Sequence, residues 1–365
     1  MAKTILEFDV VICGSGPSGA TAAFLLAKHG LKVALIDKEQ FPRDKLCGGL
    51  LTEKSYKLIK STFGNDFFEP DLIEFSSNKF EIFYAKQKIL SAFSKKLFIY
   101  VDRKRFDFAI LKRALDSGVN FFSKTKVIDI DIKNLLVFTN SNIFKGRYII
   151  ASDGVNSVIR GCLIKKGILD DKEYKDNLTL AMEIYNYEFA TDRASIYFGF
   201  TKFGYGWVFP NKKRTLVGIG ALISKNKGLI KKQFKNFLNS IGLGAPKIFN
   251  AHLIPTGWIS NRFGFDNILL VGDAAGFVDP ITGEGIYYAV KTGQMSAEAI
   301  LMSEKNKLFA EVNYNSLTQN VVSNLKRRKI YRNLIFGTRF RLVIKFFLLI
   351  ILFLFKDKLL KFIHE

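Results

Sequence analysis

The chain has few of the residues that build metal sites and disulfide frameworks. Its 365 residues include only three cysteines and three histidines. Three cysteines are too few, and odd in number, for a disulfide framework, so the chain suits a reducing compartment. The histidines are scattered without metal-ligand spacing, so we expect no bound metal. These residues are Cys13, Cys47, Cys162, His29, His252 and His364.

Acidic residues are also scarce relative to basic ones. Asp and Glu number 33 against 55 Lys and Arg, which gives a formal net charge of +22. Such a chain favours nucleic acid, an anionic membrane or acidic substrates as partners. No zinc-finger, RNA-binding or basic-zipper signature is present, so we expect no nucleic-acid partner. The first strand begins almost at the N-terminus, so we also expect no signal peptide.

The chain is long and rich in phenylalanine. A length of 365 residues predicts two lobes or one large α/β fold. The 36 Phe residues have two interpretations, compositional drift or an apolar substrate channel, and composition leaves both open.

The strongest motif is GSGPSG at residues 14–19, between an apolar strand and a helix. Gly14 permits the turn, Gly16 leaves room for a pyrophosphate, and Gly19 lets helix and strand pack closely. The helix N-terminus favours an anion. Asp37 ends the second apolar strand, at the place where an acid binds an adenosine ribose. The pattern predicts a dinucleotide site.

A second glycine segment lies towards the C-terminal end. An apolar strand at 267–271 leads into GDAAG at 272–276, and GEGI at 283–286 begins another helix. This is again an anion-binding geometry. Asp273 is placed to accept from a ribityl hydroxyl, and the 283–286 loop to present N–H groups to a flavin. Together the two segments predict one extended FAD contacted by both ends of the chain.

Other segments have chemistry that the residues alone leave open. Residues 38–50 form either a ligand-binding loop or a basic surface loop. The aromatics of FGYGWVFP at 203–210 are either core residues or a wall beside a ligand. Arg103 opposes the dipole at a helix start, which favours a role in binding phosphate or flavin.

The middle of the chain predicts a second lobe built on strands. Residues 178–187 alternate apolar and polar side chains, and 194–200 and 214–221 continue the pattern. The alternation predicts an antiparallel sheet with one covered face. Strand-like runs within 72–101 predict an inserted antiparallel ribbon.

Together these motifs resemble the p-hydroxybenzoate hydroxylase-like flavoproteins, and among them the geranylgeranyl reductase family, over roughly residues 8–305. Three motifs are general to the superfamily: GSGPSG at 14–19, ASDGVNSVIR at 151–160 and VGDAAGFVDPITGEGI at 271–286. Two are typical of the reductases: FPRDKLCGG at 41–49 and YGWVFP at 205–210.

The resemblance implies an α/β fold with an α+β second lobe. A Rossmann-like FAD-binding domain then carries an inserted antiparallel-sheet substrate domain and C-terminal helices. We expect the FAD-binding domain at 1–72, 98–165 and 255–305, the substrate domain at 73–97 and 166–254, and a membrane-associating helical region at 306–365.

The resemblance also implies site residues. Cys47, Tyr205 and Trp207 are the candidate catalytic residues, with Tyr205 and Trp207 facing the substrate. Asp37 stands where the family more often has Glu. The implied cofactor-binding residues are Gly14, Gly16, Ser18, Gly19, Asp37, Cys47, Gly48, Arg103, Val127, Asp273, Gly285 and Ile286.

The family reduces C=C bonds of polyprenyl chains on archaeal-type lipids, chlorophyll precursors or quinones, using FAD. The resemblance therefore implies a reductase in which flavin N5 gives a hydride to one carbon while the other is protonated. The alternatives are a flavin monooxygenase or halogenase of a small aromatic substrate, and a membrane-bound flavoprotein electron carrier. NAD(P)H, ferredoxin and a quinol are the candidate electron donors.

The C-terminal end favours a membrane surface as partner. Residues 346–355 form an unbroken apolar run, shorter than the about 20 residues that span a bilayer. We expect an interfacial or shallowly inserted helix on the cytoplasmic face of the membrane, and the alternative is a helix covering the substrate lobe. The surrounding basic residues are Lys326, Arg327, Arg328, Lys329, Arg332, Arg339, Arg341, Lys356, Lys358 and Lys361.

Overall fold

The structure is a computed structural model that describes residues 4–69, 71–186, 190–212, 214–244, 249–260 and 262–337. The strands in these ranges are β1 (Ile5–Glu7), β2 (Val10–Cys13), β3 (Val33–Ile36), β4 (Leu50–Leu51), β5 (Ile73–Tyr84), β6 (Gln87–Val101), β7 (Asn120–Phe122), β8 (Val127–Asp131), β9 (Leu136–Thr139), β10 (Ile143–Lys145), β11 (Tyr148–Ala151), β12 (Leu178–Asn186), β13 (Ala194–Phe198), β14 (Gly204–Phe209), β15 (Thr215–Leu222), β16 (Asn250–Pro255), β17 (Gly264–Phe265) and β18 (Ile268–Leu270). The helices are α1 (Pro17–Lys28), α2 (Glu53–Phe63), α3 (Arg103–Asp116), α4 (Val158–Lys165), α5 (Ile230–Ser240), α6 (Ile286–Asn306) and α7 (Ala310–Gly337).

A six-stranded sheet organises the first domain. Its order is β17-β18-β11-β2-β3-β7. β2 pairs in parallel with both β3 and β11, and all four of its residues are buried. The predicted buried parallel strand is therefore confirmed. Parallel strands covered on both faces carry continuous apolar runs, which is why this element could be read from the sequence.

A separate four-stranded sheet, β1-β10-β9-β8, lies beside the first. β1 pairs in parallel with β10, which is only three residues long. Such a short strand has no periodic signal and was not predicted. β8 starts close to the end of β3, because the N–H of Thr125 donates to the carbonyl of Asp37 at 2.8 Å. Val127, the first residue of β8, is buried.

The eight-stranded sheet has the order β16-β12-β15-β14-β13-β5-β6-β4. The predicted ribbon is present as β5 and β6, and β5 joins the rest through parallel pairing with β13. The expectation of a single covered face is wrong, because every residue of β15 is buried. α5 covers one face, where Phe237 contacts the position of a Cβ on Gly206 at 2.9 Å.

The opposite face of this sheet is turned towards the first domain. Along β14, Tyr205, Trp207 and Phe209 lie on this side, while Gly206 and Val208 face α5. Because both faces of the sheet are buried, polar side chains on its inner face are removed from water.

α7 packs on the first domain through its N-terminal half. The buried Tyr314 donates its hydroxyl to the carbonyl of Leu270 at 3.1 Å. Further along, Arg328 forms a buried ion pair with Asp279. Arg332 donates to the carbonyl of Thr256 at 2.6 Å. Arg328 and Arg332, two of the basic residues that surround the C-terminal apolar run, are therefore buried and hold α7 to the fold.

No helix in the described part of the chain is both long and apolar enough to cross a bilayer. The apolar run at 346–355, on which the predicted membrane helix depends, lies outside the described residues.

Candidate active site

The glycine turn after β2 forms a tight cradle. Gly14 has a φ of +105°, and a Cβ there would lie 2.6 Å from the carbonyl carbon of Ser152. Gly19 packs directly against Gly14, so neither position has room for a side chain. Gly16 caps α1 without a side-chain hydrogen bond to the first turn. The N–H groups of that turn are thus available to an anion.

Asp37 lies at the end of β3, where the sequence predicts a ribose contact. Its buried carboxylate accepts from the backbone N–H and the hydroxyl of Ser15, both at 2.7 Å. Its other oxygen accepts from the N–H of Glu39 at 2.9 Å. Asp37 therefore fixes the glycine turn from the next strand, and its contact with a ribose stays a prediction.

A buried carboxylate holds two arginines next to this turn. Asp107 accepts two hydrogen bonds from Arg103, at 2.8 and 2.9 Å, and pairs with Arg43 at 3.2 Å. Nη2 of Arg43 lies 3.9 Å from the position of a Cβ on Gly16. Nη1 of Arg43 is buried and has no hydrogen-bond partner among the described residues.

This arrangement fits a dinucleotide pyrophosphate. An unpartnered guanidinium N–H beside an uncapped helix N-terminus offers charge-assisted hydrogen bonds to phosphate oxygens. Gly14, Gly16, Ser18 and Gly19 would hold the pyrophosphate together with Arg43, and Asp37 would hold the ribose. Val127 follows Thr125 by two residues. The backbone hydrogen bond of Thr125 to Asp37 therefore brings Val127 close to the predicted ribose site.

The two glycine segments meet in space, as the sequence predicts. A Cβ on Gly272, whose φ is +54°, would lie 2.9 Å from Oγ of Ser18. The 272–276 segment then turns so that Oδ1 of Asp273 is 3.5 Å from the position of a Cβ on Gly285. Ile286 begins α6 directly after this glycine. Ser18, Asp273, Gly285 and Ile286 are thus brought together.

Arg160, in the ASDGVNSVIR motif, joins this cluster from a third segment. Its buried guanidinium donates to the carbonyls of Ala274 at 3.0 Å and Val155 at 2.7 Å. Sequence reasoning did not assign it a role, because spacing alone does not distinguish a buried arginine from a surface one. Arg160 therefore ties the second glycine segment to the end of β11.

Lys45 of the 41–49 loop and Arg103 of α3 act electrostatically on Asp273. Burial raises the pKa of Asp273, against the opposing charges of Lys45 and Arg103. Burial likewise lowers the pKa of Lys45, which contacts Nε2 of His252 on β16. Burial and the Lys45 charge lower the pKa of His252 to about 4. His252 is therefore neutral at physiological pH and accepts from Lys45.

An aromatic wall contacts two loops, the 41–49 loop and the loop before α6. This wall consists of Tyr205, Trp207 and Phe209, with successive ring centroids 5.9 and 6.3 Å apart. At one end the Tyr205 hydroxyl donates to the carbonyl of Thr282. At the other end the Phe209 ring lies 2.9 Å from the position of a Cβ on Gly48. The wall thus spans the space between the predicted flavin-contacting loops.

Cys47 and Arg103 adjoin this space. Cys47 is half-buried and its thiol lies beside the Arg103 guanidinium. The candidate catalytic residues Cys47, Tyr205 and Trp207 therefore line one region. No group of His, Cys, Asp and Glu with metal-binding geometry occurs among the residues that the structure describes.

Comparison with known proteins agrees with this geometry. A sequence model described as FAD dependent oxidoreductase matches residues 9–137. An uncharacterized protein of Methanosarcina barkeri is 33% identical over 307 residues, covering 83% of this chain and 77% of that protein.

Two relatives carry functional names. The digeranylgeranylglycerophospholipid reductase of Methanocaldococcus jannaschii is 28% identical, with 88% of this chain and 86% of the relative covered. The menaquinone reductase of Mycolicibacterium smegmatis is 27% identical, with coverages of 80% and 75%.

The chain belongs to the geranylgeranyl reductase family of FAD-dependent oxidoreductases. Its cofactor is FAD, as predicted. The fold of this family member is similar to a solved geranylgeranyl bacteriochlorophyll reductase-like protein of Thermoplasma acidophilum. That comparison has a TM-score of 0.78 at 21% identity, over 90% of this chain and 86% of the other. The predicted α/β fold class is therefore confirmed.

Proposed function

We propose that this flavoprotein reduces C=C bonds in the polyprenyl chain of a lipid or quinone. The main support for this proposal is the aromatic wall. It extends from Thr282 in one predicted flavin-contacting loop to Gly48 in the other. The named relatives are reductases of a digeranylgeranyl lipid and of menaquinone, and both of those molecules carry isoprenoid chains. An apolar wall along the cofactor space suits such a chain.

Reduced FAD held by these residues would supply hydride chemistry to the alkene. The residues of this chain then have three tasks. The aromatic wall packs against the isoprenoid and excludes water, which suppresses loss of reducing equivalents to solvent. Cys47 and Gly48 hold the edge of the site opposite the second glycine segment. A proton source must serve the second alkene carbon, because an unactivated alkene is a poor hydride acceptor.

Product analysis tests this function. The purified flavoprotein is reduced with dithionite without oxygen and supplied with geranylgeranyl lipids or polyprenyl quinones. We expect mass spectrometry to show the gain of two hydrogens per reduced double bond. A panel of small aromatic compounds with NAD(P)H and oxygen is the control. Hydroxylated or halogenated products there, with intact polyprenyl chains, would favour the monooxygenase or halogenase alternative and contradict the proposal. Flavin reduction without any product would favour the electron carrier.

The physiological electron donor is the second part of the proposal. We expect one of NAD(P)H, ferredoxin or a quinol to reduce the flavin. Anaerobic titration with each donor separates them, because only the true donor bleaches the flavin at a rate that supports turnover.

We further propose that the protein works at the cytoplasmic face of an anionic membrane. On α7, Ile330 and Leu334 are 60% and 59% exposed and lie one helical turn apart. They form an apolar stripe with Tyr331 and Ile335, which are also exposed. Exposed apolar side chains among basic residues such as Lys326 suit an interfacial helix.

Liposome flotation tests the membrane proposal. Deleting 340–365 removes the apolar run, and a second variant, Ile330→Ser with Leu334→Ser, removes the stripe. We expect each to weaken binding to anionic vesicles, whereas Phe93→Ser, on an exposed site of β6, leaves binding unchanged. Unchanged flotation of the deletion variant would contradict anchoring by the C-terminal segment.

A further inference from the structure

Glu183 is a buried carboxyl on the inner face of the eight-stranded sheet. It is 3% exposed and lies on β12, opposite Gly218 of β15. Gly218 is in turn opposite Trp207 of β14, so the three residues form a row across neighbouring strands. A Cβ on Gly218 would overlap the Trp207 ring and lie 2.8 Å from Cγ of Glu183. Glycine at this position is therefore what brings the carboxyl towards the aromatic wall.

The groups around Glu183 do not neutralise it. No ion pair of the described residues includes Glu183, and the nearby guanidinium of Arg103 is already bound by both oxygens of Asp107. The Trp207 indole N–H and the backbone N–H of Cys47 approach the carboxyl. The indole nitrogen is buried without a hydrogen-bond partner of ordinary geometry. Tyr185, on the same strand, is a further titratable neighbour, and Arg214, Asp102 and Cys47 lie around it.

Burial raises the pKa of Glu183 to about 8, against the smaller opposing effects of Arg103, Trp207 and Cys47. A carboxyl kept protonated at neutral pH is the arrangement that enzymes use for general acids. A charge-neutralising partner would be the usual structural solution for a buried glutamate, and the salt bridges of the described residues include none for Glu183.

Resting on the proposed function, we propose that Glu183 is the proton donor for the alkene carbon that does not receive the hydride. The alkene π bond and the O–H bond of Glu183 break, and one C–H bond forms at each carbon. The hydride and its electron pair would come from reduced FAD, and the Glu183 carboxylate regains a proton from water.

Single-turnover reduction tests the assignment. Reduced holoenzyme is mixed anaerobically with a geranylgeranyl lipid, using wild type, Glu183→Gln and Glu183→Asp. We expect Glu183→Gln to lower the rate of alkene reduction at least about 100-fold, as for loss of a general acid. Reoxidation of the reduced flavin by dioxygen, which needs no alkene proton, should be unchanged. Glu183→Asp should retain partial activity.

Two further readouts separate proton donation from a structural role. The wild-type rate should fall as pH rises through about 8, because the donor loses its proton, and Glu183→Gln should lack this limb. In the cofactor-free protein, the melting temperature of Glu183→Gln relative to wild type should rise as pH increases from about 4.5 to about 8 and stay level above that, because over this range the folded wild type keeps a proton that the unfolded chain releases. The matched control is Glu81→Gln, another buried glutamate of this sheet, which is paired with Lys88 and Arg193.

The following results would contradict the assignment of Glu183 or the proposed function. Equal alkene reduction by Glu183→Gln and wild type, or an alkaline limb that persists in the variant, overturns the assignment. No growing stability advantage in the cofactor-free variant also overturns it, because the carboxyl would then be ionised. If wild type reduces no polyprenyl substrate, the proposed function fails and the alkene step fails with it, independently of the stability result.

Discussion

The hydroxyl of Tyr205 donates a hydrogen bond to the backbone carbonyl of Thr282. This contact links the inner face of the eight-stranded sheet to the loop that precedes α6. Burial raises the pKa of Tyr205, so the phenol stays protonated and its O–H group donates a hydrogen bond to the carbonyl. Tyr205 therefore positions the wall against the cofactor loop.

Tyr205→Phe tests this positioning role. Loss of one buried hydrogen bond should lower the free energy of unfolding by about 1 kcal/mol. The reduction rate should stay within about tenfold of wild type, since the ring remains and no reacting proton is lost. Urea unfolding and single-turnover kinetics measure the two effects. A fall beyond about 100-fold in a stably folded variant would make Tyr205 the proton donor in place of Glu183.

Asp107→Asn removes the charge that holds Arg103 and Arg43. Because both guanidiniums are largely buried, we expect a loss of about 3–5 kcal/mol in stability and weaker FAD binding. Thermal unfolding and FAD titration measure these changes. Asp66→Asn is the matched control, since Asp66 pairs with Arg113 on the surface and its loss should have no measurable effect on either quantity. Equal effects of the two substitutions would contradict the role of Asp107.

The His252–Lys45 contact predicts acid sensitivity. The pKa of His252 is lowered to about 4 by burial and by Lys45, whereas the unfolded chain has an ordinary histidine. Between pH of about 6.5 and about 4 the unfolded state binds the extra proton, so stability falls as pH falls through this window. We expect about 1–3 kcal/mol from this group. His252→Gln should flatten the profile, and an unchanged slope would show that His252 titrates normally.

Gly218→Ala tests the row that brings Glu183 to Trp207. The added methyl group would overlap the indole and crowd Glu183, so we expect about 1–3 kcal/mol of destabilisation and a lower reduction rate. Gly161→Ala, within α4, meets no atom within 4 Å and should stabilise slightly. Full activity in Gly218→Ala would mean that the spacing of Glu183 and Trp207 does not matter.

The sequence predicted the parts of the fold with local signals. β2, with its apolar run and the glycine turn that follows, could be placed because parallel strands and phosphate cradles constrain each residue type. β10 has no periodic signal because it is only three residues long, and its parallel partner β1 lies far away in the sequence.

The candidate site could be predicted only at residues that belong to recognisable sequence motifs. The loops at 41–49 and 271–286 have recognisable residue patterns, and the structure brings them to the two ends of the aromatic wall. Glu183 had no such signal. The alternation along β12 indicates one covered face, and an acid on the other face reads as a solvated residue. Only the packing of both sheet faces, which depends on distant segments, shows that Glu183 is buried.

Anaerobic single turnover tests the central claim most directly. The flavin of the holoenzyme is reduced with dithionite, excess reductant is removed, and a geranylgeranyl lipid or a polyprenyl quinone is added while flavin absorbance is followed. We predict that the oxidised flavin spectrum returns, with one double bond reduced for each flavin reoxidised. A reduced flavin that persists with every polyprenyl substrate would contradict the account.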